Sequence, residues 1–246
     1  MALDQDILDR LLETVRRFVK NRLVPLEAQV AETDQIPASI IDEMRDLGLF
    51  GLTIPEQYGG LGLNTEEECQ VAIELGYTSA AFRSIIGTNN GIGSQGLIMD
   101  GTEEQKKIYI PRLATGEIIG SFALTEPNVG SDSAKVQTKA TKDGNHYILN
   151  GTKRWITNAN IANVFTVFAR TNQSLDGAGG VSAFLVNADT PGISLSSKYK
   201  KMGQQGAHVC DVIFDECRVP ETNIIGGPEN INNGFKTAMK TLDYEC

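Results

Sequence analysis

FALTEPNVGSD, Phe122 to Asp132, begins in apolar residues and ends in turn formers, Pro127, Asn128 and Gly130, with Thr125, Ser131 and Asp132 among them. A loop of this kind leaving a strand can present backbone N–H groups and hydroxyls to an anion or to the polar edge of a ring. It can equally be a hairpin loop that only connects. The stretch also marks where the texture of the chain changes. From Gly120 onward SFALTEP, KVQTKAT, HYILNGTKRWIT, VFTVFAR, VSAFLV and CDVIFDECRVP are short and rich in β-branched and aromatic residues. They are separated by KDGN, NQSLDGAGG and NADTPG, which predicts an antiparallel sandwich or barrel.

Before Gly120 the period is that of helices. Leu8, Leu11, Leu12, Val15, Phe18, Val19 and Leu23 recur at steps of three and four, one buried helix face that Pro25 weakens or kinks. ASIIDEMRDLGLFG reads as a second helix ending near Gly48, and IPEQYGGLGL as a loop. Thr65-x-x-Glu68 and Thr102-x-x-Gln105 have the form of capping boxes and predict two further helix starts. After the strands, NINNGFKTAMKTLDYEC returns to helical spacing at Phe235, Met239 and Leu242. The fold class expected is α+β multidomain: an N-terminal α-helical bundle over residues 1–120, an antiparallel β-barrel middle domain over 121–228, and the start of a third helical domain over 229–246.

Composition narrows the function. Of 246 residues 41% are hydrophobic, enough for a sizeable core, and the net charge is −9 without any basic run, which argues against a nucleic-acid surface. Four cysteines without C-x-x-C spacing and only two histidines do not make a zinc site, so no metal is expected. The N-terminus MALDQDILDRLL carries acids where a leader peptide carries Lys or Arg, and no apolar run reaches membrane-spanning length. A cytoplasmic protein with reduced thiols is expected.

Two motifs compete for a dinucleotide. GIGSQG, Gly91 to Gly96, matches G-x-G-x-x-G letter for letter, but no alternation of strand and helix surrounds it as a Rossmann unit requires. Glycines that let two helices approach closely account for it better, although AAFRSII just before it could pass for a strand. In KRWITNA the only tryptophan, Trp155, stands beside Thr157 and Asn158. That suits a planar heteroaromatic ligand, or a core position.

LTEPNVGSD followed by NGTKRWITNA, preceded by PEQYGGLG and GTEEQKKIYIPRLATGE and followed by KMGQQG, FDECRVP and LDYE, resembles the acyl-CoA dehydrogenase family over nearly the whole chain. The resemblance implies that the middle domain holds one side of FAD. Phe122, Leu124, Thr125, Gly130 and Ser131 would contact the flavin, Trp155, Ile156 and Thr157 would lie against its ring system, and GIGSQG would fall in a helical stretch. Substrate contacts are implied for Ser131 and Asp243. The reaction implied is α,β-dehydrogenation of an acyl-CoA thioester, in which a carboxylate of raised pKa takes the α-proton while a hydride leaves the β-carbon for FAD.

Most relatives take that carboxylate from a C-terminal helical domain, which the sequence given does not reach, so the chain reads as truncated. A smaller branch carries the base within LDxER, and Glu245 in LDYEC falls at that glutamate, with Cys246 in place of the arginine. The resemblance further implies an electron-transfer flavoprotein as acceptor and a homo-oligomer for a full-length form. The alternatives are a non-catalytic flavin or acyl-CoA-binding module lacking the base, and a sibling flavin oxidase.

Overall fold

The computed structural model describes residues 3–245; the side chain of Glu245 and all of Cys246 lie outside the described residues. The first helix, α1 (Gln5–Phe18), is N-capped by Asp4 and buries Leu8, Val15 and Phe18. It does not run straight to Leu23. A wide π turn over Val19–Leu23 and a 3-10 turn over Val24–Leu26 lead into α2 (Glu27–Thr33). Pro25 lacks the N–H that an unbroken helix would use there, and the ladder loosens before it. α3 (Ala38–Asp46) stops short of Gly48, whose φ of 70° is the left-handed conformation that glycine adopts without strain.

The expected capping box at Thr65 lies one residue upstream. α4 (Thr65–Leu75) is capped by Asn64, whose side chain accepts the Glu67 N–H (3.1 Å) while Glu67 accepts the Asn64 N–H (2.8 Å). Asparagine caps as well as threonine, and the earlier residue takes the role. AAFRSII is helix, within α5 (Ala80–Asn90). α6 (Gln95–Asp100) is a six-residue helix, and α7 (Glu103–Ala114) carries the expected Thr102–Gln105 box, with hydrogen bonds of 3.0 and 3.2 Å.

GIGSQG is therefore a turn over Gly91–Ser94 between α5 and α6, with Gln95 and Gly96 opening α6. A Cβ on Gly96 would come 3.1 Å from Thr241 Oγ1 and 3.2 Å from Thr237 Cγ2, so this glycine admits the last helix, α8 (Gly234–Glu245), to close contact. A Cβ on Gly93 would stand 2.5 Å from the Thr88 carbonyl oxygen. Both are packing glycines.

Among the described residues seven strands follow: β1 (Gly120–Ala123), β2 (Lys139–Asp143), β3 (His146–Thr157), β4 (Val164–Arg170), β5 (Val181–Asn187), β6 (Ile193–Leu195) and β7 (Val209–Pro220). They form one sheet in the order β1-β4-β2-β3-β7-β6, with β5 also on β4. The sheet is mixed rather than strictly antiparallel, because β1 and β2 each pair with β4 in parallel. A parallel pairing needs a long crossover, and the β2–β3 hairpin supplies the chain length between β1 and β4.

β4 and β5 are buried on both faces, which explains why VFTVFAR and VSAFLV read as nearly continuous apolar runs. Phe165, Val167 and Ala169 face a core shared with Phe184, Phe214 and Leu149. Val164 and Phe168 face Ile110, Leu113, Leu97 and Ala238 of the helices. A separate apolar core joins α1 to α5. Among the described residues no helix is long and apolar enough to cross a membrane.

Candidate functional site

The loop leaving β1 is closed by a tight turn. Glu126 and Val129 exchange backbone hydrogen bonds (2.9 and 3.1 Å) around Pro127 and Asn128, with proline at the position a type I or II turn favours. Gly130, Ser131 and Asp132 lie exposed beyond it. The Glu126 side chain turns inward, accepting the N–H of Gln137 (2.7 Å), the N–H of Thr138 (2.9 Å) and the Thr138 hydroxyl (2.6 Å).

Its partner is Lys153 of β3, fully buried, whose Nζ donates to Glu126 Oε1 (2.7 Å) and to the Leu124 carbonyl (3.1 Å). Burial draws the Lys153 ammonium down to about 8 against the pull of Glu126. Burial pushes Glu126 up, but the Lys153 charge and the hydrogen bonds from Lys153 and Thr138 outweigh it and hold the carboxyl below its ordinary value. The two meet as an ion pair at neutral pH.

β3 and β7 pair Lys153 with Val212 and then Ile156 with Cys210, so Arg154 and Trp155 stand opposite Asp211 alone. This two-against-one bulge reverses the facing of the strand. Tyr147, Leu149 and Lys153 point inward, and simple alternation would send Trp155 in with them. Instead Ile156 is the next buried residue and Trp155 is 60% exposed, with a φ of 58° that a bulky residue rarely adopts. The core reading of the lone tryptophan is thus incorrect.

The bulge also reaches the first loop, since the Arg154 N–H donates to the Thr125 carbonyl (2.7 Å). Just past it, the Ser121 hydroxyl donates to the Thr157 carbonyl, and Asn158, also left-handed, donates its side-chain N–H groups to Ser84 O (2.8 Å) and Thr88 Oγ1 (3.0 Å) of α5. The structure thus brings Leu124 and Thr125 against the segment that carries Trp155.

Other expected residues sit differently. Phe122 turns its ring onto Phe168, centroids 4.9 Å apart, in the layer facing the helices. Leu124 and Ile156 are buried, so backbone is what they can offer a ligand. Asp243 is exposed on α8, and Glu245 ends that helix with a side chain outside the described residues. Burial raises the thiols of Cys210 and Cys217, the latter to about 11, which leaves neither a ready nucleophile. Among the described residues no group of three metal-ligating side chains forms. A cavity of about 480 Å³ lies beside Ile36, Ile41, Ile85, Asn158, Asn160 and His208, and Trp155 does not line it.

Glu126, Lys153 and Asp211 were not singled out from the sequence. The signal for Lys153 was available: counting by twos from Tyr147 along β3 puts this lysine on the inward face, where it requires a partner.

A helical array leading into a curled mixed sheet, with an exposed indole beside a polar turn, defines a two-part protein whose sheet presents one outward aromatic ring next to a loop. The family models for the acyl-CoA dehydrogenase N-terminal and middle domains match residues 6–117 and 121–217. The probable acyl-CoA dehydrogenase YngJ of Bacillus subtilis is 38% identical over 94% of this chain and 60% of its own length. Butyryl-CoA dehydrogenase from Megasphaera elsdenii superposes with a TM-score of 0.91 at 32% identity, covering 99% of this chain and 64% of that one. An acyl-CoA dehydrogenase complexed with FAD from Bacillus anthracis gives 0.86 at 34% identity, covering 98% of this chain and 41% of that one. The chain belongs to the acyl-CoA dehydrogenase family. It spans about 60% of the length of the curated relative just named.

Proposed function

We propose that the surface carried by Trp155 and the Thr125 turn holds FAD, and that the polypeptide, completed to the length of its relatives, oxidises an acyl-CoA thioester to the 2-enoyl-CoA. The observation that carries this reading is the indole held outward on a left-handed bulge, where it buries little and costs backbone strain. Strain kept at a solvent-facing aromatic beside a polar loop suits a planar partner.

On this reading the Trp155 and Thr157 segment lies along one face of the ring system, and Thr125 offers its hydroxyl and backbone to a polar ring edge. Gly130 and Ser131, on the open turn, are within the stretch suited to phosphate or to the CoA portion of a substrate. Ile156 and Leu124 contribute backbone and exclude water behind it. FAD, when bound, supplies the hydride acceptor. The α-proton requires a carboxylate base, for which Glu245 is the candidate within this chain, and Asp243 on the same helix would meet substrate. An electron-transferring flavoprotein as acceptor, homo-oligomeric assembly and the domain limits 1–120, 121–228 and 229–246 belong to the same proposal.

Purification and FAD titration test it. Because Trp155 is the only indole, its emission should be quenched as FAD binds, and the polypeptide completed to its relatives' length should remain yellow and reduce a dye on addition of an acyl-CoA. Absence of both quenching and flavin retention in the completed form overturns the cofactor reading. Hydrogen peroxide formed in proportion to substrate identifies an oxidase instead, and flavin retention without turnover leaves a binding module.

A further inference from the structure

The carboxylate opposite the bulge collects an unusual number of donors. Asp211, 8% exposed, accepts the Trp155 N–H (3.3 Å), Arg154 Nε (3.3 Å) and Nη2 (3.2 Å), and the Tyr199 hydroxyl (3.0 Å to Oδ1 and 3.1 Å to Oδ2). The Asp211 N–H in turn donates to Ser196 Oγ (2.9 Å).

Both bulged residues are thus fastened to the one residue facing them. A bulge residue loses its ladder partner, and its N–H needs another acceptor. The Asp211 carboxylate supplies one to the Trp155 backbone N–H through Oδ1 and restrains the Arg154 side chain through Oδ2. Since the Arg154 N–H also holds Thr125 O at 2.7 Å, movement at the bulge displaces the turn as well as the indole. The exposed Trp155 ring has little packing of its own to hold it, so its pose follows from its backbone.

We propose that Asp211 is a positioning residue for the ring-binding surface: it fixes the outward pose of Trp155 and, through Arg154, the placement of the Thr125 loop. The function assigned to Asp211 rests on the cofactor reading above; its effect on the indole does not.

The test uses Asp211→Ala and Asp211→Asn with three readouts: thermal melting, fluorescence anisotropy of the sole indole without cofactor, and FAD titration. Asp211→Ala removes both carboxylate oxygens and leaves the backbone carbonyl that accepts the Ser196 N–H. It should lower the Trp155 anisotropy of the folded protein well below its melting temperature, and weaken FAD binding about 3- to 10-fold, the range expected when one or two net hydrogen bonds' worth of organisation is lost. Asp211→Asn keeps an oxygen that can face the Trp155 N–H and gives up the charge on Arg154, so it should fall between Ala and the parent in both readouts.

Folded variants that melt earlier but retain the parental anisotropy and FAD affinity overturn the proposal, since a purely structural role moves only the melt. Should Asp211→Ala fail to fold, Asp211→Asn decides by the same criterion. A parent that takes up no FAD even when completed to its relatives' length, with variants that still loosen the indole, removes the cofactor reading and leaves Asp211 as the holder of Trp155. Parental anisotropy in variants that bind FAD as the parent does removes the positioning role and leaves the cofactor reading.

Discussion

The helical half and the barrel half each bury polar side chains, and among the described residues only the barrel half buries an ion pair. At the end of α5, Asn89 donates to Leu113 O and Ile118 O (both 2.9 Å) and accepts the Gly120 N–H (2.8 Å), while Asn90 donates to Leu49 O (2.7 Å) and Ile86 O (3.2 Å). These neutral amides stitch helix ends to one another and to β1. In the barrel the corresponding task falls to an ion pair, Lys153 with Glu126, which fastens Leu124 O, Gln137 N and Thr138 N. An amide needs only its hydrogen bonds to be buried at little net cost, whereas a charge needs its counter-ion as well. The costlier device stands where the candidate site is built. A loop without regular pairing has no ladder to hold it, and a buried carboxylate with three loop donors replaces one.

The largest effect should come from breaking that pair. Lys153→Met leaves Glu126 buried without its counter-ion, and a loss of about 3–5 kcal/mol in urea unfolding is expected. Adding Glu126→Leu should recover much of it, because replacing both charges removes the desolvation cost together with the attraction. A single mutant within about 1 kcal/mol of the parent would show that the loop closes without the pair. In the other half, Asn89→Ala strands the Ile118 carbonyl and the Gly120 N–H and leaves the Leu113 carbonyl to the Gly116 N–H, and about 2–3 kcal/mol should be lost. If Asn89→Ala costs more than Lys153→Met, the proposed ranking of the two halves is reversed.

Acidity separates the halves by a smaller margin. The folded-state pKa of Glu126 lies below its unfolded value of about 4.3, so its contribution is present above that pH and is lost as pH falls through the lower, folded value. Lys153 titrates near 8 when folded and at about 10.4 unfolded. Between those values the unfolded chain binds more protons, and stability should rise with pH. Unfolding free energies from pH 3 to 10 for the parent and for Lys153→Met with Glu126→Leu should differ in slope on both limbs. Identical slopes would mean that the pair does not titrate with folding. Asn89→Ala should displace the whole profile without changing these slopes, since an amide carries no titrating proton.

The same contrast explains what the sequence disclosed. Local patterns were legible: the Thr102 box, the stop near Gly48 and the strand at VFTVFAR all depend on neighbours within a few residues. The cap at Asn64 was displaced by one because two adjacent residues can cap, and only the hydrogen bonds show which does. The parallel pairings of β4 were not legible, since they join residues 44 positions apart (Gly120 with Val164) and 31 apart (Lys139 with Arg170) in a periodicity that looks the same in either direction. Trp155 was picked out as a candidate site residue by resemblance, while its exposure was hidden by a bulge that the sequence does not announce. Glu126, Lys153 and Asp211 are charged residues in strand-like runs, and what makes them matter is the partner each meets across the sheet.

The smallest change in stability, and the sharpest test of the barrel's role, should come from Trp155 itself. The indole is 60% exposed, so removing it forfeits little burial, while its φ of 58° costs a non-glycine residue roughly 1–2 kcal/mol. Glycine relieves that strain and loses about 0.5–1 kcal/mol in added freedom of the unfolded chain. Trp155→Gly should therefore leave the protein as stable as the parent or raise its stability by up to about 1 kcal/mol, with the backbone N–H still available to Asp211. FAD affinity should move the other way, falling about 2- to 10-fold with loss of a stacking partner worth roughly 0.5–1.5 kcal/mol. Opposite signs in the two measurements would mark Trp155 as a residue held for a ligand at the expense of the fold. A loss of stability beyond about 1 kcal/mol would instead make the indole part of the barrel's own packing, and the contrast between a half built for stability and a half strained for binding would fail at its central residue.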